Sequence, residues 1–156
     1  MCIRDRSYAI YLYKFASHTS SVFAQFYQKP DWDNQTRGGE TDTEYSNTVE
    51  NYNQGLYQAA LPKMDSLLDR SEEDNQMRLF KGVAHMEMNQ LLEAEKEFSK
   101  VRINSDLYFE EACWYLALIN IKLDKLQEAK AFLDEIIEQE NSFYRDRALE
   151  MKDELH

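Results

Sequence analysis

Glycine and proline are scarce, with four Gly and two Pro in 156 residues. So few breakers leave little turn chemistry for a β-sandwich or barrel and point instead to long helices. The two cysteines, Cys2 and Cys113, make neither a disulfide framework nor a zinc ligand set. Basic residues are outnumbered, 18 Lys and Arg against 29 Asp and Glu, for a net charge of −11. Nucleic acid and anionic headgroups both demand Lys/Arg clusters, so neither is expected as a partner. Catalytic motifs are missing as well. His18, His85 and His156 have no Cys or His at ligand spacing, and Gly38-Gly39 is not followed by Lys-Ser/Thr. Cys113 sits in the apolar run Ala112-Cys113-Trp114-Tyr115-Leu116 and reads as a packing residue, not a nucleophile. No enzymatic activity, cofactor or metal is expected. What is present is a 43% apolar, 13% aromatic composition, enough to exclude wholesale disorder and to build one domain's core.

Four stretches divide the chain. Met1-Cys2-Ile3-Arg4-Asp5-Arg6 is what the codons ATG TGT ATA AGA GAC AGA encode, and resembles the end of a transposon-type sequencing adapter read in frame. Residues 1–6 are therefore set aside, with the expectation that the native protein starts further upstream. Residues 7–28 are apolar and Tyr-rich, but the run Tyr8–Ala16 is far short of the roughly 20 residues that cross a bilayer. Two readings of it stand side by side: the last turns of a transmembrane anchor, or an amphipathic helix docked on the C-terminal domain. Residues 29–43 collect loop formers, among them Pro30, Asp31, Asp33, Asn34, Gly38, Gly39 and Asp42, and read as an exposed linker. Asn34-Gln35-Thr36 fits a glycosylation acceptor, a tripeptide too common to carry weight.

Residues 44–156 are helical in pattern, and the pattern repeats. Gln54–Ala60, Met88–Ala94 and Leu123–Ala129 align, and their closing alanines, Ala60, Ala94 and Ala129, lie 34 and 35 residues apart. Four residues after each comes Met64, Phe98 or Leu133, and three further on Leu67, Val101 or Ile136. That spacing lays an apolar stripe on one face of a second helix. Five residues before each alanine stands Gly55, Asn89 or Asp124, the residue types best able to take the left-handed conformation of a tight interhelical turn. Tyr57, Leu91 or Leu126 then plugs the hairpin's open end, and the alanine lets the helices cross closely. First helices precede these turns, clearest over Met77–Met88 and Tyr108–Leu123, with Gly82 and Ala117 at equivalent small positions and Thr48 a weaker match. Ser71, Ser105 and Ser142 are expected helix starts, and Pro62 is expected in a first turn. Lys152-Asp153-Glu154-Leu155 would read as a retention signal were His156 not behind it, so it is taken as part of a capping helix.

This unit resembles the tetratricopeptide repeat family, whose repeat is 34 residues of helix–turn–helix. The usual proline between units is missing, with Asp106 and Asn141 near the expected places, and His85 or Asn120 replaces the first-helix aromatic. The resemblance implies an all-α, antiparallel helix-hairpin solenoid of about three repeats plus a C-terminal capping helix from Ser142. It further implies a concave face of first helices that binds a peptide or partner helix. The inward, variable positions would be Tyr45, Tyr52 and Asn53 in the first unit. They would be Gln76, Leu79, Met86 and Glu87 in the second, and Glu111, Trp114 and Lys122 in the third. Tyr52 and Trp114 are the sharpest candidates, because aromatics with polar handles dominate interface energetics. The competing reading packs Trp114 on the closing helix, against Phe143 or Tyr144. A protein-interaction module with a peptide or protein partner is thus the leading expectation. Its rival is the accessory sensor or regulatory tail of a larger signalling protein or enzyme whose active domain lies upstream. The chain is also similar to membrane-tethered bacterial repeat proteins, implying an anchored, periplasmic repeat domain, with a cytoplasmic adaptor as the alternative.

Overall fold

A computed structural model describes residues 18–32, 43–71 and 73–155. The suspected scar, the run Tyr8–Ala16, most of the linker and its Asn34 tripeptide lie outside the described residues. Among the described residues the protein is all-helical, without strands. Residues 18–26 form helix α1. It is followed by α2 (Thr43–Asn53), α3 (Tyr57–Arg70), α4 (Asn75–Glu87), α5 (Leu91–Asn104), α6 (Phe109–Lys122), α7 (Leu126–Glu138) and α8 (Arg145–Glu154). No described helix is long and apolar enough to cross a membrane.

Three helix pairs, α2–α3, α4–α5 and α6–α7, are joined by the same turn, and its cause is local. Gly55, Asn89 and Asp124 have φ of 75°, 57° and 62°, the left-handed conformation expected of them. In each turn that residue's N–H bonds the carbonyl three residues back: Gly55 to Tyr52, Asn89 to Met86, Asp124 to Ile121. The next N–H reaches five back: Leu56 to Asn51, Gln90 to His85, Lys125 to Asn120. These two bonds form a Schellman motif, which satisfies carbonyls the ending helix would otherwise orphan. The carbonyls of Leu56, Gln90 and Lys125 then accept from Ala60, Ala94 and Ala129, so the second helix starts at once. Each alanine is fully buried, as are Met64, Phe98 and Leu133 on the expected stripe.

Helix starts differ from the sequence expectation. Ser71 ends α3, and Asp74 caps α4 by accepting from the Met77 N–H at 2.9 Å. An ionised carboxylate at the positive end of the helix dipole makes the stronger cap. Ser105 and Ser142 each bond a backbone N–H, of Tyr108 and Tyr144, in the turn ahead of α6 and α8. Pro62 lies inside α3, not in its first turn, because the tight turn starts that helix at Tyr57. Its missing N–H costs little there, since the Gln58 carbonyl it would have met is on an exposed residue.

The chain divides into two compact units, one being Lys29–Ala112 and the other Cys113–His156 together with the residues up to Gln28. In the first, α3, α4 and α5 are tied by an ion cluster. Glu97 of α5 accepts from Arg78 at 3.0 Å and Lys81 at 2.9 Å, both on α4, and Lys81 also meets Asp65 of α3 at 2.7 Å. The Glu97 side chain is only 9% exposed. Burial alone raises its pKa, but the hydrogen bonds and charges of Lys81 and Arg78 outweigh that and hold the carboxyl below the usual range. Burial likewise acts to lower Lys81, yet Asp65 and Glu97 leave its pKa raised. Gly82 of α4 faces the Phe98 ring of α5, and a Cβ there would come within 2.7 Å of two ring atoms.

In the second unit the core is built on α6, where every residue from Cys113 to Ile121 is buried. A helix apolar all round is expected to be enclosed all round. Asn120 is the polar exception, and it is satisfied by donating to the Leu116 carbonyl at 2.8 Å. Cys113 is fully buried and its Sγ lies 3.7 Å from the Glu135 carboxylate of α7.

Candidate protein-interaction site

The most elaborate side-chain constellation in the first unit surrounds Trp32, within the stretch read from sequence as an exposed linker. Residues 27–32 are neither helix nor strand, yet Trp32 is only 1% exposed. Its indole stacks on Phe80 of α4, with ring centroids 4.6 Å apart and planes 7° from parallel. Tyr45 and Tyr52 of α2 meet it edge-on, at 5.6 Å and 5.7 Å. Edge-to-face and stacked contacts bring the ring quadrupoles together favourably while removing large apolar area from water. The hydrophobic pattern of α2 and α4 places Tyr52 and Phe80 side by side, their centroids 5.2 Å apart, as the floor of this seat.

The backbone of the same stretch is read by side chains. Asn53, the last residue of α2, accepts from the Trp32 N–H through Oδ1 and donates from Nδ2 to the Trp32 carbonyl, both at 2.9 Å. Two residues upstream, the Pro30 carbonyl accepts from the Tyr52 hydroxyl at 2.9 Å. Lys29 places its ammonium 3.3 Å from the Asn53 carbonyl and 3.5 Å from that of Tyr52, where the negative end of the α2 dipole favours a cation. The same ammonium lies over the Tyr52 and Tyr57 rings, 5.0 Å and 5.6 Å from their centroids. Tyr57 in turn bonds Glu87 at 3.4 Å, and burial together with that carboxylate pushes its phenol up to about 12.

The ten candidate positions thus divide. Tyr45, Tyr52 and Asn53 come together around Trp32, and Glu87 joins them through Tyr57. Tyr52, one of the two sharpest candidates, is fully buried under the Lys29–Trp32 segment. Leu79 and Met86 are buried in the core of the first unit, and Gln76 is half-buried. Glu111 is half-buried too, and its carboxyl is raised by burial and by Glu110 against an opposing backbone hydrogen bond. Trp114 and Lys122 belong to the second unit. Trp114 is 3% exposed, with Tyr144 at 5.2 Å, Phe26 at 6.2 Å and the Arg147 guanidinium 4.9 Å over its ring. This is the packing alternative entertained for it, on Tyr144 and not Phe143, which stays 86% exposed. Lys122 is exposed and sets its ammonium 4.6 Å over the Phe23 ring.

Lys29, Trp32 and Phe80 were not among the expected site residues. The available signal was a lone tryptophan among loop formers, which periodicity does not register. Among the described residues, no three His, Cys, Asp or Glu side chains are gathered as metal ligands would be.

The sequence matches no protein-family model, no curated protein and no solved structure.

Proposed function

We propose that this chain is a non-catalytic protein-interaction module of tetratricopeptide-like helix hairpins, stacked as a short solenoid, whose first helices bind an extended segment of another protein. The observation that carries the reading is the Lys29–Trp32 segment on α2 and α4. A stretch of chain that is neither helix nor strand is held there by an aromatic seat and by side-chain bonds to its backbone. Main-chain hydrogen bonds supply affinity and a pocket for one side chain supplies specificity, the division of labour of peptide recognition in general. The repeated turns at Gly55, Asn89 and Asp124 support the repeat reading, and the 34- and 35-residue spacing of the buried alanines agrees with it. An acidic surplus of eleven charges favours basic or neutral partner segments.

Panning a displayed peptide library on the immobilised full chain tests this. Selected peptides, measured by fluorescence anisotropy on a Trp32→Ala chain whose own ring no longer fills the seat, should lose about tenfold or more in affinity when Asn53→Ala or Tyr45→Ala is added, each change removing one or two contacts of the seat. The exposed Glu128→Ala variant, on α7, should change nothing. Peptides indifferent to both seat variants would refute the proposed face.

A further inference from the structure

Resting on that reading, we infer that the Lys29–Trp32 segment is a displaceable occupant of the seat on α2 and α4. When it leaves, the seat accepts an extended segment of another protein with the same chemistry, a lysine followed three residues later by an aromatic.

Several features separate this segment from an ordinary core element. Core backbone pairs within helices or sheets, whereas among the described residues no backbone–backbone hydrogen bond involves residues 28–32. The segment is held instead by polar contacts with the α2 terminus: Asn53 to the Trp32 N–H and carbonyl, Tyr52 to the Pro30 carbonyl, Lys29 to the carbonyls of Tyr52 and Asn53. Such contacts read unpaired backbone groups and one charge, and any chain bearing those groups can make them. Pro30 suits this role, since it restricts the segment in advance and lowers the entropy lost on docking.

The fit is also incomplete. The Trp32 Nε1 is buried and has no hydrogen-bond partner among the described residues. A buried donor left unpaired forfeits its hydration without return, so the seated state carries a penalty that favours release. The seat holds the indole by its faces and edges and asks nothing of its N–H, so it selects an aromatic ring and not tryptophan as such. Basic character in the incoming segment answers the α2 carbonyl end that Lys29 now occupies.

Because the segment is covalently joined to α2 through residues 33–42, it competes at an effective concentration in the millimolar range expected of a short connection. An incoming segment therefore binds the intact chain more weakly than a chain whose own segment cannot seat, by the factor that self-occupancy sets.

The test is a two-dimensional NMR titration of the full chain and its Trp32→Ala variant with a synthetic peptide of residues 27–34. A second peptide carries Ala at the Trp32 position. Thermal melts verify that each protein is folded. The Asn53 side-chain amide reports on the seat directly. The expected result is binding to Trp32→Ala at least about tenfold tighter than to the intact chain, with no binding by the Ala peptide. If Trp32→Ala does not melt cooperatively, Trp32→Leu, which keeps apolar volume but no ring, takes its place with the same expectation. Equal binding to intact and variant chains would overturn gating while leaving the interaction reading intact. A folded variant that binds nothing would overturn the seat as a peptide site, and peptides selected by panning would then decide the proposed function on their own. Equal binding of the Trp and Ala peptides would refute recognition of the aromatic ring.

Discussion

Gly82→Ala is the most informative single change to the fold, because two opposing effects of known size meet there. In a helix interior, replacing glycine by alanine ordinarily stabilises by about 1 kcal/mol, through reduced backbone entropy in the unfolded chain. At Gly82 the new Cβ would stand 2.7 Å from two atoms of the Phe98 ring. Carbon atoms pack at about 3.5–4.0 Å, so the ring or the α4 backbone must give by about 1 Å. Phe98 is fully buried and has no free side to move toward. Overpacking costs about 1–3 kcal/mol, and a clash of about 1 Å against a fully buried ring falls in the upper part of that range, about 2–3 kcal/mol, which exceeds the propensity gain. The net expectation is a loss of about 1–2 kcal/mol, or about 4–16 °C in Tm for a unit this size. Circular dichroism melts and urea titrations of the full chain measure it. In a Phe98→Leu background the clash partner is smaller, and the same Gly82→Ala change should become neutral or stabilising. The coupling in that double-mutant cycle should be about 1–2 kcal/mol. A Gly82→Ala protein as stable as the parent, or more so, would refute the close α4–α5 crossing.

Other expectations rest on the same packing. Gly55→Ala has open space around its Cβ, yet φ is 75°, so it should lose about 1 kcal/mol from backbone strain alone, read as a lower urea midpoint with unchanged m value. Glu97→Gln leaves Arg78 and Lys81 facing a neutral group, and should cost about 2 kcal/mol at pH 7, less than a fully isolated buried pair because Asp65 still meets Lys81. The lowered carboxyl of Glu97 contributes stability that is present above the ordinary carboxylate range and is lost as pH falls through its depressed value. Glu97→Gln should therefore flatten the acid limb of a stability–pH curve, and an unchanged limb would discount the cluster. Glu111 has the opposite sign: its raised carboxyl makes the folded state take up protons, so stability declines as pH rises through the carboxylate range. Glu111→Gln should gain stability at pH 7 and none in acid. Trp114→Ala should lose about 3 kcal/mol, since the ring is enclosed by Phe26, Tyr144 and Arg147; a small loss with impaired partner binding would restore Trp114 as a contact residue.

The features legible in the sequence are those set within a few residues of themselves. The left-handed turn residues Gly55, Asn89 and Asp124, the alanines that come after them and the stripe through Phe98 and Val101 all obey local sterics and helical periodicity. A residue that must take positive φ, or a side chain that returns every third or fourth position, announces itself without knowledge of its neighbours in space. Helix starts were less legible because Ser71 and Asp74 are both competent caps, and only the actual turn geometry chose the carboxylate. What the tertiary structure alone decided depends on residues far apart along the chain. Trp32 finds its stacking partner at Phe80, and Glu97 meets Arg78 and Lys81 of α4, where Lys81 also meets Asp65 of α3. Tyr52 and Trp114 carry the residue type of interface anchors, but burial depends on what covers a side chain. Lys29–Trp32 covers one, and Phe26 with Tyr144 and Arg147 encloses the other. Periodicity states which face of a helix turns inward; only the folded chain determines what meets it there.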